Sequence, residues 1–96
     1  MSYYFVAQIR IKDEIEYQKY IDKAGDIFKK YNGDYLSVDN EPVILEGKWD
    51  YTRIVLIEFK SRKDFDDWYN SEDYQEILAH RLKAADCDTV LVKGLK

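Results

Sequence analysis

From Tyr3 to Ile11 apolar and polar positions alternate, with Phe5, Ala7, Ile9 and Ile11 on one face and Tyr4, Val6, Gln8 and Arg10 on the other. A repeat of two residues predicts a strand. The period then lengthens: Tyr17, Tyr20, Ile21, Ala24, Ile27, Phe28 and Tyr31 fall on one helical stripe, opened by Asp13 as a cap. This helix is expected to end at Asn32-Gly33, with Gly33 in the left-handed conformation that closes helices. Gly25 inside it costs about 1 kcal/mol relative to alanine. Asp34–Val38 and Val43–Glu46 predict two short extended pieces of an edge strand. They are interrupted by Asp39-Asn40-Glu41-Pro42, because proline brings no N–H to a ladder. Tyr51–Phe59 is nearly continuous in β-branched and aromatic residues and predicts a central strand.

Ser61 is placed to cap a short helix carrying Phe65, Trp68 and Tyr69, with Asp64 completing a shortened capping box. Ser71 caps a second helix, whose first turn holds Glu72 and Asp73 and whose apolar face comprises Tyr74, Ile77, Leu78, Arg81, Leu82 and Ala85. Thr89–Lys93 predicts the last strand, closed by Gly94. The order is therefore strand, helix, strand, strand, helix, strand. That is the split βαβ pattern of an α+β, ferredoxin-like sandwich, with an antiparallel sheet and strands one and three at its centre. Residues 1–96 are expected to form a single domain.

In the third strand both faces are apolar: Val55, Ile57 and Phe59 on one, Ile54 and Leu56 on the other. Two helices cover only one face of a sheet. The second face would leave a contiguous apolar patch in water, so a homodimer pairing sheet to sheet is expected.

Composition narrows the picture. Nine Tyr, four Phe and two Trp supply large packing surfaces for a well-filled core or an aromatic-lined site. A net charge of −4, with basic residues dispersed among acidic ones, lacks the footprint of a nucleic-acid binder. Cys87 is the single cysteine, which excludes an intrachain disulfide and a paired-cysteine motif. The N-terminal run Met1–Arg10 has neither a basic leader nor a long apolar stretch, so neither a signal peptide nor a membrane span is expected. A cytoplasmic protein fits best.

Few residues invite chemistry. Glu58 shares a face with Ile54 and Leu56, so burial could raise its pKa and make it a general acid or base; pairing with Arg10 or with backbone donors is the structural alternative. His80 is the one histidine and the default proton carrier, although it lies at the margin of its helix's apolar stripe. One histidine does not assemble a zinc or haem site, and no metal or cofactor is expected. Arg81, directed inward, needs an anion: Glu58, a helix end or a ligand carboxylate gripped by its fork. Trp49, Trp68, Tyr69 and Tyr74 are candidate walls for a flat apolar ligand, or simply core. Ser61 and Ser71 read as caps rather than nucleophiles. Asp86 and Asp88 disfavour a reactive thiolate at Cys87, and Gly47 serves the turn before Trp49.

A set of local motifs adds to this. It comprises Ala7-Gln8-Ile9, Glu46-Gly47-Lys48-Trp49, Ile57-Glu58-Phe59 with Ser61, Trp68-Tyr69-Asn70-Ser71-Glu72-Asp73-Tyr74, and Arg81 with Ala84-Ala85. Across essentially its whole length the chain resembles the domain of unknown function 1330 family, within the superfamily of dimeric α/β barrels. Lys60 departs from the proline common at that place in the family, and leaves the Ser61 cap intact. The resemblance implies a dimeric barrel and no particular activity. Its superfamily includes cofactor-independent monooxygenases, lactone isomerases, haem-handling enzymes and ligand-sensing domains, so fold does not choose among them. Two functions are carried forward. One is a dimer binding a small aromatic or carboxylated metabolite. The other is a cofactor-independent enzyme of isomerase or monooxygenase type, using Glu58 or His80 with Arg81.

Overall fold

Parity along the two central strands organises the molecule. In the computed structural model, which describes residues 1–96, the elements are β1 (Tyr3–Ile11), α1 (Glu14–Phe28), β2 (Gly33–Asp39), β3 (Arg53–Phe59), α2 (Arg62–Tyr69), α3 (Glu72–Ala84) and β4 (Ala85–Lys93). The strands pair antiparallel in the order β2-β3-β1-β4, so β1 and β3 are central as expected. Ala7 lies opposite Val55 on one side and Thr89 on the other. This register turns Phe5, Ala7, Ile9, Val55, Ile57 and Phe59 toward the helices, where all six are buried. The fold is the ferredoxin-like α+β sandwich, and no helix is long and apolar enough to cross a membrane.

The core is aromatic. Trp68, 1% exposed, stacks on Phe59 at 5.5 Å between centroids and meets Phe5 edge-on at 5.6 Å. Such pairs contribute about 0.5–1.5 kcal/mol each beyond the area they bury. The caps form where the sequence places them: Asp13 accepts from the Glu16 N–H, Ser61 from the Asp64 N–H and Ser71 from the Tyr74 N–H.

Four expectations are corrected. Helix α1 ends at Phe28, and Gly33 opens β2 with an ordinary φ; Gly47 alone has a positive φ, 79°. Gly33 is required for packing instead, because a Cβ there would stand 2.7 Å from the rings of Phe28 and Phe59. Val43–Glu46 is not a strand. Pairing of β2 with β3 ends at Asp39 opposite Ile54, the chain turns as the Glu41 N–H donates to Asp39 Oδ1, and Val43 and Leu45 are left exposed. Leu82 is exposed, and Ala85 belongs to β4, which follows α3 without a loop and therefore starts earlier than Thr89. The central strand begins at Arg53 rather than Tyr51.

The other sheet face carries no helix. Val6 sits there between Leu56 and Val90, and Tyr4 between Glu58 and Val92, with Val90 and Val92 exposed. At its end, Arg10 pairs with Asp50 and Asp86, and the Tyr51 hydroxyl donates to Asp88 at 2.6 Å, tying the long β2–β3 connection down.

Candidate functional site

Between α1 and the helix-covered sheet face lies a cavity of about 240 Å³. Its floor is supplied by odd-numbered strand residues, Phe5, Ala7 and Ile9 from β1 with Val55 and Ile57 from β3, because that parity faces the helices. Helix α1 contributes Tyr17, Tyr20 and Ala24, while Ile21, Tyr35 and Val38 form an exposed rim. Gly25 also borders it. A Cβ at Gly25 would meet nothing within 4 Å and its φ is not positive, so neither packing nor backbone geometry requires glycine at this helical position.

Only two lining residues are charged, and both are arginines. Arg81, 2% exposed, comes from α3; Arg53, half-buried, opens β3 on the same parity as Val55. The Arg81 guanidinium lies 5.8 Å from the Tyr20 ring centroid and that of Arg53 lies 5.8 Å from the Tyr17 centroid, with the two rings 5.7 Å apart. Tyr20 and Tyr74 share a hydroxyl–hydroxyl hydrogen bond of 2.8 Å.

No counter-ion accompanies these cations: every ion pair in the structure involves other residues. The phenols do not serve as anions near neutral pH. Burial raises the pKa of Tyr17 and Tyr74 and pushes Tyr20 well above its ordinary value. Burial opposes charge on Arg81, but the negative charge that Tyr74 and Tyr20 acquire only at high pH, together with Cys87, outweighs it there and holds the guanidinium above its usual pKa. The outcome is a fixed cation in an apolar wall.

Hydrogen bonding repeats the pattern. Five buried side-chain polar atoms lack a partner: Arg81 Nε and Nη1, Arg53 Nε, Trp68 Nε1 and Trp49 Nε1. Four of these belong to cavity-lining residues, and all are donors. A buried donor without an acceptor costs about 1–3 kcal/mol. Carboxylate oxygens, which only accept, are the complementary chemistry.

Of the residues singled out from sequence, Arg81 and Trp68 line the cavity, and Tyr74, buried, reaches it through the hydroxyl of Tyr20. Tyr69 stacks on Phe65 and lies outside it. Trp49 meets Tyr51 edge-on at 5.1 Å in the β2–β3 connection, also outside. Glu58 projects from the open sheet face, where it accepts from Ser2 Oγ at 2.7 Å, and Arg10 is engaged elsewhere. His80 Nδ1 lies 2.5 Å from Glu16 Oε2, so it clips α3 to α1 and does not line the cavity. The structure therefore brings neither Glu58 nor His80 to Arg81. Arg53, Tyr17, Tyr20 and Tyr35 were not among the candidates. For Arg53 the signal was available, since it shares the face of Val55, Ile57 and Phe59.

A protein of unknown function from Rhodopseudomonas palustris superposes with a TM-score of 0.80 at 20% identity, over 99% of this chain and 83% of that one. A dimeric ferredoxin-like protein of unknown function from Jannaschia sp. CCS1 gives 0.76 at 9% identity, over 98% and 100% of the two chains. SnoaB, a cofactor-independent oxygenase from Streptomyces nogalater, gives 0.70 at 9% identity, over 99% and 94%. These likenesses are of fold. No curated protein matches the chain in sequence. The model of one family, the domain of unknown function DUF1330, matches residues 2–95, and the chain belongs to that family.

Proposed function

We propose that this protein is a homodimer that binds a small aromatic or otherwise flat carboxylate in the cavity beneath α1, with Arg81 as the anion clamp. The observation that carries the reading is the set of unpartnered donors on Arg81, Arg53 and Trp68 around an apolar cavity without an acidic residue. A ligand carboxylate on Arg81 supplies acceptors and a counter-charge there, and Trp68 with the α1 phenols offers flat apolar contact. The dimer is supported by the helix-free apolar ribbon of Val6, Ile54, Leu56, Val90 and Val92, and by the dimeric state named for the Jannaschia relative.

The oxygenase among the structural neighbours keeps a cofactor-independent enzyme in view. In that version Glu58 or His80 would move protons beside Arg81. The placement of Glu58 across the sheet and of His80 against Glu16 weighs against it, so binding is the preferred reading.

A thermal-shift screen of aromatic carboxylates tests the proposal. A ligand at a hundred times its Kd stabilises by about 2.7 kcal/mol, which moves Tm by about 4–8 °C per kcal/mol in a domain of this size. Arg81→Ala is expected to abolish the shift while circular dichroism shows the fold retained. An unchanged shift in that variant removes Arg81 from the site.

A further inference from the structure

The cavity holds two guanidinium groups of different depth. Arg81 is nearly inaccessible, whereas Arg53 is half-buried and also borders a surface cleft beside Asn40, Thr52 and Gln18. Each faces its own phenol ring, Arg81 that of Tyr20 and Arg53 that of Tyr17. Arg53 Nη1 donates to Asn40 Oδ1 at 3.2 Å, yet its Nε has no partner. One carboxylate at Arg81 would leave that second donor and the second charge unmatched, because the lining contains no acidic side chain.

Resting on the binding function just stated, we propose that the ligand is a dianion, a small flat dicarboxylate with one carboxylate on Arg81 at the inner end and the other on Arg53 at the outer end. Two fixed cations in one apolar cavity are balanced by two anionic groups on one ligand. Arg53 is thus the specificity-determining residue, separating diacids from monoacids of the same ring. The volume fits: about 240 Å³ lies just below the range of about 300–1,000 Å³ of pockets for drug-sized molecules, and so suits a single ring with two substituents. The open position at Gly25 leaves room beside the rim for such a ligand to enter.

The experiment is titration calorimetry of the full-length protein with benzoate and the three benzene dicarboxylate isomers. The best-fitting isomer is expected to bind on the order of tenfold more tightly than benzoate, the gain from one additional charge-assisted contact at a half-buried site. Arg53→Gln should erase that preference, weakening the diacid about tenfold more than it weakens benzoate, and Arg53→Lys should restore part of it. Arg81→Gln should weaken both ligand types. If benzoate binds in an Arg81-dependent way and no isomer exceeds it, the dianion inference is overturned and the binding function stands. If Arg53→Gln weakens benzoate and diacid alike, Arg53 is a general wall of the site and the inference again falls. If neither class binds, the binding function itself is refuted, and the dianion with it. Circular dichroism on each variant separates loss of binding from loss of fold.

Discussion

Replacing Arg81 with methionine should make the ligand-free protein more stable. The guanidinium is 2% exposed, has no ion-pair partner, and leaves Nε and Nη1 without acceptors. Two unsatisfied buried donors cost about 1–3 kcal/mol each, and more where the group is charged. Against this stands the attraction of the cation for the Tyr20 ring at 5.8 Å, of up to about 2 kcal/mol when desolvated. Methionine keeps most of the apolar stem against α1 and β4, so the cavity left behind is small. The net expectation is a gain of about 1–3 kcal/mol, in line with the behaviour of buried charges exchanged for apolar groups of similar volume. Urea unfolding of protein refolded from denaturant, and so freed of any carried ligand, should show a higher midpoint at unchanged slope. The same variant should lose the thermal shift given by carboxylates. A loss of more than about 1 kcal/mol in the ligand-free variant would refute the reasoning, because it would mean that the cation is already satisfied within the fold.

Three further outcomes follow. Gly33→Ala places a Cβ 2.7 Å from Phe28 and Phe59, and overpacking of this kind should cost about 1–3 kcal/mol in chemical denaturation; a neutral result would show that the rings yield freely. Leu56→Asp, at the centre of the helix-free face, should convert the proposed dimer to a folded monomer in sedimentation equilibrium; a persisting dimer would place the interface elsewhere. Acid sensitivity should come from Asp73, hydrogen-bonded to Lys30; Asp86, hydrogen-bonded to Arg10; and Glu16, hydrogen-bonded to His80, all held below their ordinary pKa values. A depressed native pKa contributes stability that is full above the unfolded values of about 3.9–4.3 and is lost as pH falls through the native ones. Stability should therefore decline below about pH 4, and Asp73→Asn should flatten the slope; an unchanged slope would exclude Asp73.

Element types and their order were legible because the two hydrophobic periods are clean in β1, α1 and β3, and because Asp13, Ser61 and Ser71 are unambiguous caps. Boundaries failed where one residue type serves two purposes. Asn32-Gly33 has the composition of a helix stop, yet Gly33 is selected by the approach of Phe28 and Phe59, which are distant in sequence from each other and meet only in the fold. Val43–Glu46 has strand composition, but an edge strand needs a neighbour, and β3 is already too short to pair with it beyond Arg53. Leu82 looked apolar in a helical stripe, while the packed side of α3 is narrower and runs through Tyr74, Ile77, Leu78, Arg81 and Ala84.

The site was less legible for a reason of geometry rather than of residue type. Strand parity alone separates Glu58 from Arg81: Glu58 shares the face of Ile54 and Leu56, whereas an inward arginine on a helix meets the face of Val55, Ile57 and Phe59. The two belong to opposite sides of one sheet, and no rotamer joins them. The same parity puts Arg53 on the helix side, but its counter-ion status could not be read from the chain, since an arginine at a strand end is commonly paired in solvent. What distinguishes Arg53 and Arg81 is that each keeps a buried Nε without an acceptor, and Arg81 its Nη1 as well, a property of three-dimensional neighbours. None of the acidic residues of this chain, although they outnumber the basic ones, lines the cavity; those that form helix caps or ion pairs do so elsewhere. In a protein of net charge −4, two guanidinium groups outside every ion pair line one cavity, Arg81 nearly inaccessible and Arg53 half-buried, so an anionic ligand on the proposed site would meet at Arg81 a field that solvent screens little.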